Sequence, residues 1–223
     1  TYGTQIVGQY AVGLLLEICS HYGHHNQTVQ DGTWERHQDW CYWDYPMIEL
    51  SGKTAGIIGL GRIGQTTARI LKAMDMRVLA YDAHPNDAGR ETAEYVDLDT
   101  LFASSDVIFL HCPLFPEPTR LINAEAVSKM KKGAILINAS RGPVVDSEAL
   151  AKALHEGTVG GAGIDVFETE PPLNTDHPLL HTPNTIVTPH IAFASEESME
   201  LRAKIVFESL ELWMDGKQRN IIL

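Results

Sequence analysis

Lys53-Thr54-Ala55-Gly56-Ile57-Ile58-Gly59-Leu60-Gly61-Arg62-Ile63-Gly64 is the stretch on which the fold turns. An apolar run, Thr54 to Gly59, enters a GxGxxG triplet, and a helical pattern, Gln65 to Ala73, leaves it. Glycine triplets alone are common, so the strand before and the helix after carry the information. Gly59 permits the tight strand-to-helix turn, Gly61 lets backbone approach a pyrophosphate, and Gly64 lets the helix pack closely on the strand. The helix N-terminus then offers free N–H groups and partial positive charge to phosphates. A turn of this kind that binds nothing is the bland alternative.

The next run, Arg77 to Asp82, ends on an acid close to where a ribose-reading carboxylate belongs, about 20 residues on. Asp82 would accept hydrogen bonds from the 2′ and 3′ hydroxyls of NAD. It would repel the 2′-phosphate of NADP by about 4 kcal/mol per unit charge at close range. Neither Ala83 nor His84 offers a guanidinium to offset that, so NAD(H) is expected over NADP(H).

Further apolar runs follow: Asp106 to His111, Ala134 to Asn138, Gly161 to Asp165 and Thr185 to Val187. Most are continuously apolar, as strands covered on both faces should be. Helices between them show their ends, with Asn123 capping Ala124 to Lys131 and Asp146 capping Ser147 to Glu156 before Gly157. A last helix is expected over Ser195 to Met214. The alternation predicts an α/β domain, a Rossmann-type doubly wound parallel sheet.

Before the first strand, Val7, Ala11, Leu14, Leu15, Ile18 and Tyr22 recur at helical spacing. His24 to Tyr45 has no clear period but holds Trp34, Trp40, Tyr42, Trp43 and Tyr45, which suggests a buried arm on its own domain or across a partner subunit. His21, His24 and His25 have a spacing that could hold a metal, but no neighbouring acid or cysteine completes a set, and no metal is expected. The domains expected are 1–50, a hinge helix and dimerisation arm; 51–193, the dinucleotide domain; and 194–223, a C-terminal helix. The early entry into a helix suggests that a preceding portion has been removed.

The chain has 223 residues, 44% hydrophobic and 21% charged, as ordinary globular proteins have. A net charge of -12 argues against nucleic acid and anionic membranes as partners. Cys19, Cys41 and Cys112 form no CxxC pair and read as reduced thiols of a cytoplasmic protein. Ile6 to Ile18 is too short to span a bilayer.

Three motifs stand at the expected C-terminal ends of strands: Asn138-Ala-Ser-Arg141-Gly-Pro, Asp165-Val-Phe-Glu-Thr-Glu170-Pro, and Thr188-Pro-His190-Ile-Ala192. That edge of an open α/β sheet is where ligands bind. Hydride delivery to a carbonyl carbon leaves charge on oxygen, which needs a proton and a nearby cation. Arg141 offers a planar fork for a carboxylate, and an acid beside His190 favours its imidazolium. Taken singly, Arg141 is as compatible with a surface arginine, Glu170 with a capping acid, and His190 with a satisfied core histidine.

This set, with the glycine turn and His111-Cys112-Pro113, resembles the D-isomer-specific 2-hydroxyacid dehydrogenase family. The resemblance implies an NAD-dependent oxidoreductase acting on a small 2-oxo or 2-hydroxy acid. It implies Arg141 as the substrate carboxylate and carbonyl ligand, His190 as proton donor or acceptor, and Glu170 as its partner. It places Arg62 and Ile63 at the pyrophosphate, Cys112 and Pro113 beside adenosine, Ala139 behind the nicotinamide and Asp165 at its carboxamide. Ser140, Arg141, His190 and Ala192 join Gly59, Gly61, Gly64 and Asp82 in the implied cofactor set. After Pro113 the family pattern breaks, with Phe115 at a usual threonine and one extra residue, so whether Pro118 or Thr119 meets the cofactor stays open.

Residues 1–50 most resemble bacterial glycerate dehydrogenases, also called hydroxypyruvate reductases, and the resemblance implies a homodimer. Without its substrate domain the chain would bind NAD(H) but turn over poorly. Formate dehydrogenases carry glutamine where Glu170 stands, phosphoglycerate dehydrogenases share the motifs, and a dinucleotide-sensing corepressor of the same fold is the non-enzymatic alternative.

Overall fold

The computed structural model describes residues 2–114, 120–171 and 173–217, and the uncertainty over Pro118 and Thr119 lies outside them. Seven parallel strands form one sheet in the order β3-β2-β1-β4-β5-β6-β7. They are β1 (Thr54–Ile58), β2 (Arg77–Tyr81), β3 (Glu94–Tyr95), β4 (Val107–Leu110), β5 (Ala134–Asn138), β6 (Val159–Ile164) and β7 (Thr185–Val187). The order reverses at β1, whose neighbours are β2 and β4, so a crevice opens between their C-terminal ends.

Past Thr54, the central strands are buried along their length, which their uninterrupted apolar sequences anticipate. Two differences from the sequence reading stand out. Strand β3 was not expected, because a two-residue edge strand leaves no periodicity to read. Strand β6 begins at Val159, two residues earlier than its apolar stretch suggested, since backbone pairing tolerates Gly160 and Gly161.

On one face lie α1 (Thr4–Ser20) and α3 (Arg62–Ala73), contributing Leu14, Leu15, Ile18, Ala68 and Leu71 to one core. On the other, α5 (Leu98–Ser104), α6 (Ala124–Lys129) and α7 (Ser147–His155) supply Leu101, Val127, Leu150 and Leu154 to a second. The N-caps Asn123 and Asp146 act as expected, their side chains accepting from Ala126 and Ala149 N–H. The first helix lies directly on the sheet, with Leu14 and Ile18 against the nearly side-chain-free surface of β6.

Helix α3 starts at Arg62 and not at Gln65, with Gly61 as N-cap, so the glycine motif itself forms the first turn. The segment taken as irregular from His24 begins as α2 (Tyr22–Gln30). His21, in the left-handed conformation at φ 49°, breaks it from α1. Beyond α2 the arm is not buried on its own domain: Trp40 is 87% and Trp43 65% exposed. A short helix α4 (Asp87–Arg90) precedes β3, and α8 (Glu196–Met214) closes the chain with Ser195 as N-cap. No helix among the described residues is long and apolar enough to cross a membrane.

Candidate active site

Because every strand is parallel, the segments that follow β1, β2, β4, β5, β6 and β7 emerge at one edge of the sheet. A cleft of about 520 Å³ there is lined by Ile63, Cys112, Pro113, Ala139, Arg141 and His190, among others. His111, Ser140, Asp165 and Ala192 complete the motif residues on its wall. An adjoining hollow of about 540 Å³ runs to Gly61 and Arg62 and shares Ile63 and Arg141 with the first. Guanidinium and imidazole therefore share one cleft, on the rim that also carries the glycine turn.

The turn has the shape a phosphate needs. Gly59 sits at φ +94°, and a Cβ there would fall 2.6 Å from the Cys112 nitrogen. A Cβ on Gly64 would strike the Gly59 carbonyl oxygen, which is the close packing of helix on strand. A Cβ on Gly61 would meet nothing within 4 Å, so the space over the α3 N-terminus is open to a ligand. Asp82 lines neither hollow. Its carboxylate, at the end of β2, accepts the Leu60 N–H at 2.7 Å and the His84 N–H at 2.8 Å. These residues fit the pyrophosphate and ribose of a dinucleotide.

Arg141 is aimed by the buried side chain of Asn138, which ends β5. Asn138 Oδ1 accepts from Ser140 N–H and Oγ, and its Nδ2 donates to the Arg141 carbonyl. The guanidinium in turn donates to the Ser140 carbonyl at 2.7 Å.

His190 sits at φ +56°, a conformation uncommon for a residue with a Cβ. Its backbone N–H donates to the Asp165 carbonyl, and the fully buried Asp165 carboxylate accepts from Thr188 Oγ1, Ile191 N–H and Ala192 N–H. Asp165 thus anchors the loop on both sides of the imidazole, a role that no local residue pattern reveals. The ring Nδ1 lies 2.5 Å from Glu170 Oε2, which directs Nε2 as the remaining ring nitrogen. Glu170 does not line the main cleft; it stands behind the imidazole, in an apolar hollow with Phe167, Pro171 and Leu173.

His111, which the sequence reading uses only as part of a motif, is half-buried on the cleft wall beside the glycine turn, with Nε2 2.9 Å from Thr67 Oγ1. Burial pushes its imidazole pKa down to about 4, and Nδ1 has no hydrogen-bond partner. Burial likewise pushes the Cys112 thiol up to about 11. Tyr2, Val7, Phe193 and Arg202 also line the cleft and were missed. Phe193 could have been found from its place three residues after His190, whereas Tyr2 and Arg202 arrive from opposite ends of the chain. The Arg202 guanidinium lies 5.4 Å over the Tyr2 ring and 5.8 Å over that of Phe193.

A separate hollow of about 520 Å³, between His21, Tyr45 and the start of β7, carries none of the motif residues. There the arm brings Asp44 to His24 at 2.6 Å, an acidic neighbour that linear spacing did not reveal. Among the described residues no group of three or more potential ligands is placed to hold a metal.

Comparison with known proteins places this geometry. Residues 12–192 match the family described as D-isomer specific 2-hydroxyacid dehydrogenase, NAD binding domain. A hydroxypyruvate reductase of Blautia hydrogenotrophica is 52% identical over 223 residues, covering 100% of this chain and 69% of the relative. A glycerate dehydrogenase of Methylorubrum extorquens is 41% identical, covering 99% of this chain and 69% of that protein. Among solved structures, the TT0316 protein of Thermus thermophilus superposes with a TM-score of 0.88 at 36% identity, over 98% of this chain and 68% of that one.

Proposed function

The chain belongs to the D-isomer-specific 2-hydroxyacid dehydrogenases, as their NAD-binding domain, and on that premise we propose that Arg141, His190 and Glu170 carry the reduction of a small 2-oxo acid of the hydroxypyruvate or glyoxylate type. The observation that carries the reading is the single cleft holding both Arg141 and His190, with Glu170 on the imidazole Nδ1. The bound dinucleotide supplies the hydride. Arg141 holds the substrate carboxylate and polarises its carbonyl. As negative charge develops on the carbonyl oxygen, His190 delivers a proton from Nε2, and Glu170 stabilises the imidazolium that exists before transfer.

The cofactor set is proposed to be Gly59, Gly61, Arg62, Ile63, Gly64, Asp82, Cys112, Pro113, Ala139, Ser140, Arg141, Asp165, His190 and Ala192. NAD(H) is preferred over NADP(H) in this reading: the Asp82 carboxylate, held at the end of β2 by the Leu60 and His84 N–H groups, would repel a 2′-phosphate brought to it. Residues 1–50 form a hinge helix and an arm that covers a second copy in a homodimer, which the exposure of Trp34, Trp40 and Trp43 supports. Residues 51–193 bind the dinucleotide. Within 194–223, exposed Phe207, Leu210 and Trp213 on α8 await the family's substrate domain, so the chain by itself binds NADH but turns over poorly. We place the protein in the cytoplasm.

The test is oxidation of NADH by hydroxypyruvate, followed through the reduced nicotinamide absorbance, in the protein joined to a substrate domain of a close relative. His190→Ala should abolish turnover while leaving the NADH Kd within roughly threefold, about 0.7 kcal/mol. Undiminished kcat in that variant would overturn the assignment.

A further inference from the structure

Beyond the motif residues, a second carboxylate and histidine lie beside the site and take no part in the chemistry proposed above. Glu168 Oε1 accepts a 2.5 Å hydrogen bond from Ser147 Oγ at the start of α7, and Glu168 Oε2 lies 3.0 Å from His177 Nε2. His177 Nδ1 accepts the Leu179 N–H at 3.3 Å, which leaves the ring proton on Nε2, pointing at Glu168. Burial pushes the Glu168 carboxyl up, but the bonds from Ser147 and His177 outweigh it and hold the group below the usual range. The order is hydroxyl, carboxylate, imidazole, with the acid in the middle, so no nucleophile is activated.

What this clamp grips is the backbone on which Glu170 turns. The Phe167 ring meets His177 edge to face at 5.1 Å. The Phe167 carbonyl carbon lies so close to Gly142 that a Cβ there would overlap it, which ties the loop to the segment carrying Arg141. The Phe167 N–H donates to Glu170 Oε1 at 2.5 Å, and the other Glu170 oxygen faces His190. From Ser147 through Glu168 and His177 to Phe167 and Glu170, each member is held by the one before.

We propose that Ser147, Glu168 and His177 are positioning residues for the proton-transfer pair: their hydrogen bonds fix the Phe167–Glu168 backbone so that Glu170 presents one oxygen to His190 Nδ1. Neither Glu168 nor His177 lines the cleft or the adjoining hollow, so both would act through Glu170. The inference rests on the reading of Glu170 and His190 as a pair and adds what keeps them in register.

The test reads the tautomer of neutral His190, by long-range proton–nitrogen NMR on histidine-labelled protein above neutral pH, assigned with His190→Gln. The Nδ1–H tautomer is expected, because Glu170 accepts from that nitrogen, and Glu170→Ala should shift the population toward Nε2–H. Ser147→Ala and His177→Phe, which keep the packing and remove one hydrogen bond each, should each move the ratio at least halfway to that of Glu170→Ala. Lower Tm in both variants with a wild-type tautomer ratio would mean that the clamp only stabilises the fold, and the proposal would fall. Should Glu170→Ala itself leave the ratio unchanged, the pair reading fails, and the two failures are told apart by that variant alone.

Discussion

His190 hangs from Asp165: its backbone N–H donates to the Asp165 carbonyl at 2.8 Å, while the Asp165 carboxylate takes the N–H groups of the next two residues at 3.0 and 2.9 Å. A carboxylate with no exposed surface is costly to bury unless its oxygens are filled, and here three donors fill them. The left-handed backbone at His190 is the strained product of that anchoring.

Asp165→Asn should therefore be severe. The amide keeps one acceptor oxygen and turns an NH2 toward donors, so about 2 to 4 kcal/mol of stability is expected to go. Urea denaturation would measure the loss, and amide exchange should show it concentrated over residues 188–192.

Two glycines of one motif should fail in opposite ways. Gly64→Ala drives a methyl into the Gly59 carbonyl and should cost about 1 to 3 kcal/mol in folding. Gly61→Ala adds a methyl where nothing lies within 4 Å, so stability should stay within about 1 kcal/mol. Its NADH Kd should nonetheless rise by roughly tenfold or more, about 1.4 kcal/mol. Thermal melts and calorimetric titration of both variants decide it; unchanged NADH affinity in Gly61→Ala would remove the pyrophosphate from this turn.

His111 should make the fold acid-sensitive. Its imidazole titrates at about 4 when folded, against an ordinary 6.5, so the unfolded chain binds the extra proton first. The stabilisation is complete above pH 6.5 and declines as pH falls from there to 4, by at most about 4 kcal/mol at about 1.4 per pH unit. Denaturation at pH 7 and pH 4.5 should show that decline in the native sequence and a shallower one in His111→Gln. Equal slopes would place the acid sensitivity elsewhere.

Thiol chemistry offers a check on the cleft. Cys19 and Cys112 are buried, and burial pushes both thiols up to about 11, while Cys41 in the arm is half-buried. A maleimide at neutral pH should label Cys41 in the folded protein, and Cys19 and Cys112 only after unfolding. Rapid labelling of native Cys112 would show a cleft more open than this one.

Local order was legible where chemistry and periodicity coincide. Apolar runs bounded by turns gave the central strands, Asn123 and Asp146 announced their helices, and Gly59, Gly61 and Gly64 required one kind of turn. Strand β3 escaped because two residues carry no period, and α2 because its helical residues bury no face and leave no apolar stripe.

Which groups are present, and through parallel β–α alternation the emergence of the segments bearing Arg141, Glu170 and His190 at one edge, can be read along the chain. How those side chains are aimed follows from the folded packing. Glu170 reaches His190 across 20 positions of sequence, Asp165 reaches Ala192 across 27, and Tyr2 meets Arg202 from the far end of the chain. Hydrogen bonds of that span depend on the sheet bringing β6 beside β7, and no local pattern of residue types encodes a distance through space.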